Sequence, residues 1–216
     1  SVFFIVFITS MGLTFGLTPL VGEHYAKGNH GYLRRLLSNG FILFTFIGFI
    51  ATALLYVARR LFPVMGALMI GDGSDASIGE VINLALPYFD TLIWSVLPVM
   101  IWGTAKQFLE GVGNTRIAMV TIILSNSLNI LLNWIFIFGK CGLEPMGAVG
   151  AGYATLVSRI CQCFMLVGYF LVTPRFKEYT SRLFERTKLS LRTMGSIMKV
   201  GIPIAFQMLM EASAFV

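Results

Sequence analysis

Six stretches of this sequence are apolar over the length a helix needs to cross a bilayer, and that constrains the fold more than any other feature. They run at roughly 2–21, 36–58, 81–104, 117–138, 146–172 and 194–216. A span takes about 20 residues, because ~1.5 Å of rise per residue must cover ~30 Å of hydrocarbon. Backbone polar groups find no water there, so they are satisfied within a helix. The fold class is therefore all-α integral membrane, a polytopic bundle of about six transmembrane helices. The composition excludes the soluble alternative: 56% of the 216 residues are hydrophobic and 12% charged, against roughly 25% charged in soluble domains. Pro19, Pro98 and Pro203 fall in or near the apolar runs, where a proline is tolerated and marks a kink.

The net charge of +6 does not point to nucleic acid, because the basic residues flank the apolar runs. Counted over alternate connections, twelve stand on one side and three on the other. The twelve are Lys27, Arg34, Arg35, Lys106, Arg116, Arg175, Lys177, Arg182, Arg186, Lys188, Arg192 and Lys199; the three are Arg59, Arg60 and Lys140. Basic loops stay in the cytoplasm, which assigns 22–35, 105–116 and 173–193 to that side. Asp72, Asp75 and Glu80 then belong to an outer loop, and 61–70, too short to span, is expected along the interface. Trp102 and Trp134 are read as interfacial belt aromatics. The basic 173–193 segment sets topology and is a candidate for anionic lipid head groups. The chain starts at Ser1 within one apolar run and stops at Val216 within another, so a piece of a longer protein is expected.

Polar side chains inside spans cost about 2.5–3.5 kcal/mol for Asp or Arg at mid-helix, and they turn toward the bundle interior. Glu211 is the sharpest case, a dozen residues past Lys199; a carboxylate there can exchange a proton or hold a cation. Asn126, Asn129 and Asn133 share one face of the fourth span. Their amides suit either a hard cation or helix-to-helix hydrogen bonds. Thr155, Arg159 and Gln162 share a face of the fifth. Arg159 needs a partner or a wet cavity, with Asp90 and Glu211 as the acids to consider. Asp90, nearer the outer end of the third span, is equally readable as a solvated carboxylate. Gly111 and Gly113 mark a tight turn, and Gly147, Gly150 and Gly152 allow close helix approach. His24 and His30 are expected in solvent. Cys141, Cys161 and Cys163 have no zinc or disulfide spacing, and no nucleotide loop, zinc-binding His pair or nucleophile elbow argues for an enzyme.

The segments 107–119 (QFLEGVGNTRIAM), 129–139 (NILLNWIFIFG) and 146–155 (MGAVGAGYAT) resemble, in order and spacing, the multidrug and toxic compound extrusion (MATE) transporters. The segments 201–212 and 18–22 are similar to the start of that family's seventh span and the end of its second. The resemblance covers the whole chain and implies one part of a twelve-helix, two-lobe transporter. Residues 1–172 would be spans two to six of the first lobe, 173–193 the basic inter-lobe linker, and 194–216 the first span of the second lobe. It implies secondary active export of small organic cations and other xenobiotics from a multi-pass inner (plasma) membrane protein, monomeric when full length. Alternating access would be coupled to inward Na⁺ or H⁺ flow, with no cofactor beyond that ion. Glu211 matches the family's seventh-span coupling carboxylate, and Asn129, Asn133 and Thr155 match its first-lobe cation site. Some members carry Asp where Asn133 stands, so that site has less negative charge here; the two amides favour Na⁺. The alternative is a flippase of lipid-linked oligosaccharide or peptidoglycan precursors, which needs several cavity bases to hold pyrophosphate, whereas only Arg159 lies inside a span.

Overall fold

The computed structural model describes residues 2–69, 76–140, 142, 144–174, 176, 179 and 189–213. Among them the chain forms helices α1 (Val2–Thr14), α2 (Leu17–Ala26), α3 (His30–Met69), α4 (Ala76–Gly111), α5 (Thr115–Phe138), α6 (Gly147–Val172) and α7 (Leu191–Ser213). There is no strand among the described residues. Six stretches are long and apolar enough to cross a membrane, with α1 and α2 forming one span between them. The all-α membrane bundle read from the apolar runs is the fold observed.

The first span breaks where its proline dictates. A proline ring collides with the carbonyl four residues back, and for Pro19 that residue is Phe15. Phe15 and Gly16 form the turn between α1 and α2, held by Phe15 N–H to Gly12 O at 3.2 Å and Thr18 N–H to Phe15 O at 3.3 Å. Pro87 and Pro98 sit inside α4 and Pro203 inside α7 without ending either helix.

Two boundaries differ from those expected. Residues 61–69 are no separate interfacial piece: α3 runs through them as one helix of 40 residues, ~60 Å long. Extending a formed helix adds one hydrogen bond per residue fixed, whereas starting a new one needs a costly nucleus. Ile70, Asp72 and Asp75 lie outside the described residues, and Glu80 belongs to α4 rather than to a loop. Similarly, the 105–116 loop shrinks to a turn at 112–114 because α4 continues to Gly111. Gly113 takes φ +80° there, a left-handed conformation open to glycine, and Asn114 N–H reaches Leu109 O at 2.8 Å.

α4 is the central helix, packed against α1, α2, α3, α5 and α6. Trp102 is consequently not a belt aromatic. It is 5% exposed, inside the bundle, while Trp134 at 52% faces outward. The outward faces are apolar, with Ile130 71% and Phe164 73% exposed, as lipid-facing surface is and water-facing surface is not.

Alternate connections gather at one end. His30 Nδ1 hydrogen-bonds the Tyr179 hydroxyl at 2.6 Å, and Ser190 N–H donates to Asn39 Oδ1 at 3.0 Å. Phe108 meets Phe170 and Tyr179 edge-on at 5.7 and 5.5 Å, and Phe176 stacks on Phe170 at 5.1 Å. The start of the 173–193 segment is thus docked, with Phe176 and Tyr179 buried, and His30 is not merely solvated. His24 likewise donates to Leu20 O at 2.9 Å and stacks on Tyr32.

α7 lies antiparallel to α1 through glycine. A Cβ on Gly201 would stand 2.6 Å from Leu13 O, and one on Gly16 would stand 2.5 Å from Gly201 N. The two backbones approach this closely because neither carries a side chain at the crossing.

Candidate functional site

α5 and α6 bring three of the singled-out residues to one level. Ser125 Oγ donates to Ser158 O at 3.1 Å, and at the other end Gly150 fits against the Phe136 backbone. Between these two contacts the antiparallel register sets Asn129 opposite Thr155. Asn133 Nδ2 donates to Asn129 Oδ1 at 3.0 Å, and Thr155 Oγ1 donates to Ala151 O at 3.0 Å. Asn133 Oδ1 and the Thr155 lone pairs remain free to accept or coordinate. All three residues are half-buried, whereas Asn126 is exposed on α5 and Gln162 is half-buried further along α6. The trio has oxygen ligands but no formal charge.

Arg159 stands one turn along α6 from Thr155. Gly152, two turns away on the same face, leaves room for Thr91 and Tyr88 of α4, so α4 and α6 approach closely enough for Arg159 to reach across. Its Nη1 donates to Ser95 Oγ at 2.6 Å, and its guanidinium lies 4.9 Å from the centre of the Phe7 ring on α1. Neither acid considered from the sequence is its partner. Asp90 is held by Arg59: Nη2 donates to Oδ2 at 2.7 Å, and Nε lies 2.6 Å from Oδ1 but off the hydrogen-bond direction. Asp90 is thus ion-paired rather than simply solvated. A guanidinium on the helical turn next to Thr155 opposes a cation at the amide trio by Coulomb repulsion.

Glu211 lies on a different surface. The face of α7 turned to the bundle carries Thr193, Ile197, Gly201 and Ala205; Gln207 and Glu211 point elsewhere and are exposed, Gln207 Nε2 donating to Glu211 Oε1 at 2.9 Å. Phe206 and Met210 beside them are 62% and 57% exposed. Among the described residues the carboxylate is bonded to one amide, and none of them covers this helix face.

One polar cluster was not foreseen. At the basic end Thr18 Oγ1 donates to Gln107 Oε1 at 2.6 Å, across the α2–α4 contact. Lys106 pairs with Glu110 at 3.2 Å and stands over the rings of Phe15 and Trp102. Gln107 is 1% exposed and its Nε2 has no partner among the described residues. Reading Lys106 as a loop residue hid this; the i, i+4 spacing of Lys106 and Glu110 was the available signal. No group of three or more His, Cys, Asp or Glu able to hold a metal occurs among the described residues.

Comparison with known proteins follows the same lines. A family profile described as MatE matches residues 1–135. The multidrug resistance protein NorM of Photobacterium profundum is 30% identical over 100% of this chain and 45% of its own length. An outward-facing structure of a multidrug resistance MATE family transporter of the MOP superfamily superposes with a TM-score of 0.80 at 25% identity, over 98% of this chain and 44% of that one. An inward-facing structure of such a transporter gives 0.78 at 25% identity, over 96% and 44%. The chain spans about half the length of the curated relatives it matches.

Proposed function

The chain belongs to the MatE family of membrane transporters, and on that premise we propose that it works as part of a secondary active multidrug exporter. Residues 1–172 act as spans two to six of the first lobe, 173–193 as the inter-lobe segment, and 194–216 as the opening span of the second lobe. The relatives' naming as multidrug resistance proteins supports export over the flippase reading. The proposed site is a multi-pass plasma-membrane protein with 22–35, 105–116 and 173–193 on the cytoplasmic side. A cysteine placed at Ser181 should then resist an impermeant thiol reagent in intact cells, and its labelling would reverse the orientation.

The observation that carries the mechanism is the Glu211 carboxylate, exposed on α7 and bonded, among the described residues, to Gln207. A carboxylate at that depth is expensive unless it works. Binding Na⁺ or H⁺ neutralises it, and so biases α7 between the two openings of an alternating-access cycle. Gln207 orients the carboxylate for that exchange. Asn129, Asn133 and Thr155 supply neutral oxygens for a second cation, completed by a carboxylate from outside this chain. Arg159, Asp90, Asn126 and Gln162 are the remaining cavity-lining candidates.

The test is Glu211→Gln in the protein expressed from its complete gene. Efflux of a cationic dye should fall to the level of cells lacking the protein, with membrane insertion unchanged. Undiminished efflux removes Glu211 from the mechanism.

A further inference from the structure

On the outward side of the bundle α3 and α6 each pack on α4 and leave a groove of about 520 Å³ between them. Its wall on α3 is Ile42, Phe46 and Phe49, its wall on α6 is Phe170 and Leu171, and Ile101 of α4 stands between. Ile42, Phe46 and Phe49 are 46%, 62% and 58% exposed, so they stand open rather than closing onto α6. Phe170 is fixed, 1% exposed and packed against Phe108 and Phe176. Water finds no hydrogen-bond partners in such a groove, and hydrocarbon fits it.

We propose that this groove holds one acyl chain of an anionic phospholipid whose head group is bound by Arg35. The proposal needs this face to meet the membrane and does not depend on export. Arg35 stands seven residues before Ile42 on α3, and seven residues bring a helix back to within about 20° of the same direction. Arg35 therefore continues the stripe of Ile42, Phe46 and Phe49 toward the basic end of the bundle. It is exposed, and among the described residues the ion pairs are made by other groups. A guanidinium so placed grips a phosphate through two parallel N–H donors.

Length and charge both fit a lipid of one leaflet. From Arg35 to Phe49 the helix rises about 21 Å, and one leaflet with its head groups is roughly 20–22 Å thick. Arg35 then lies at phosphate level and the groove, starting about 10 Å further in at Ile42, lies at chain level. The 173–193 segment begins against the same wall, because Phe176 stacks on Phe170 at 5.1 Å. That segment carries six basic residues and two acidic ones. A positive field at the mouth of the groove selects an anionic head group over a zwitterionic one.

The experiment puts a tryptophan reporter in the groove, Phe46→Trp, in the protein from the complete gene reconstituted in zwitterionic lipid. Quenching by chain-brominated phosphatidylglycerol is compared with quenching by chain-brominated phosphatidylcholine, after subtracting the signal of the protein without the reporter. Phosphatidylglycerol should be preferred about tenfold or more, and Arg35→Gln should cut that preference about fivefold. Phe49→Trp serves if the first reporter variant does not fold. Equal quenching by the two lipids overturns the proposal, since the face then meets bulk lipid without selection. So does no quenching by either, the outcome expected if chain beyond this piece covers the groove. A preference that survives Arg35→Gln unchanged places the head group elsewhere and overturns it as well. Displacement of the brominated lipid by a cationic dye would mark a substrate site instead. Loss of export in any variant enters none of these readings, so the lipid site and the transport reading fail separately.

Discussion

Between α4 and α6 the polar groups are enclosed and answered: Ser95 and Ser158 are 0% and 3% exposed, and each hydroxyl is bonded to a helix carbonyl. On α7 the polar pair Gln207 and Glu211 is exposed and, among the described residues, bonded only within itself. The first bundle behaves as a finished core, in which polarity fixes helix positions. The free face of α7 has the composition of a surface that meets another element or a wet cleft, with Ile202, Phe206 and Met210 exposed beside the acid. The same chain thus contains an enclosed frame and a helix face that the described residues leave open. That fits superposition on both inward- and outward-facing structures at nearly equal TM-scores of 0.78 and 0.80.

The contrast is testable. Phe108 is fully buried among Phe170 and Tyr179, so Phe108→Ala should cost about 3–5 kcal/mol in thermal or denaturant unfolding of the whole protein in detergent. Gly201→Val puts a branched side chain where even a Cβ stands 2.6 Å from Leu13 O. It should cost about 2–3 kcal/mol and detach α7, seen as new protease sensitivity in 189–213. Phe206→Ala, on the free face, should cost about 1–2 kcal/mol if chain beyond this piece covers that face; no loss at all would mean that the face meets lipid, and would break the comparison. Asn133→Asp gives the α5–α6 trio the charge it lacks, and stabilisation by added Na⁺ should grow by about 1 kcal/mol in a thermal-shift series. An unchanged response would mean that Arg159 had taken the new carboxylate. Gly195→Ala is the smallest effect. Nothing lies within 4 Å of its new Cβ, so a gain of about 0.5 kcal/mol is expected.

Lys106 and Arg159 show where reading the sequence stopped short. Both are basic residues within or beside apolar runs. One was assigned to a loop because hydropathy fades near 104, although α4 continues to Gly111 and folds Lys106 onto Trp102. The other was identified as a charge inside a span, but its partner could not be chosen, because Asp90, Glu211 and Ser95 are all far from it in sequence. Asn129 and Asn133 are joined by a hydrogen bond, as their shared helix face allows, and their standing level with Thr155 comes from the α5–α6 packing.

Beyond the motifs that carry the family resemblance, the sequence by itself determined the helical membrane fold and its six spans. These follow from local quantities: how many consecutive residues are apolar, which residues flank them, and the rule that backbone polar groups in lipid must pair within their own helix. Only the tertiary structure decided that α3 runs unbroken to Met69, that Arg59 rather than Arg159 holds Asp90, and that Glu211 faces away from the first bundle. Those outcomes depend on which side chains meet across helices. Such meetings are set by a few close approaches, Gly16 to Gly201 and Gly152 to Thr91 among them, that no single apolar run contains.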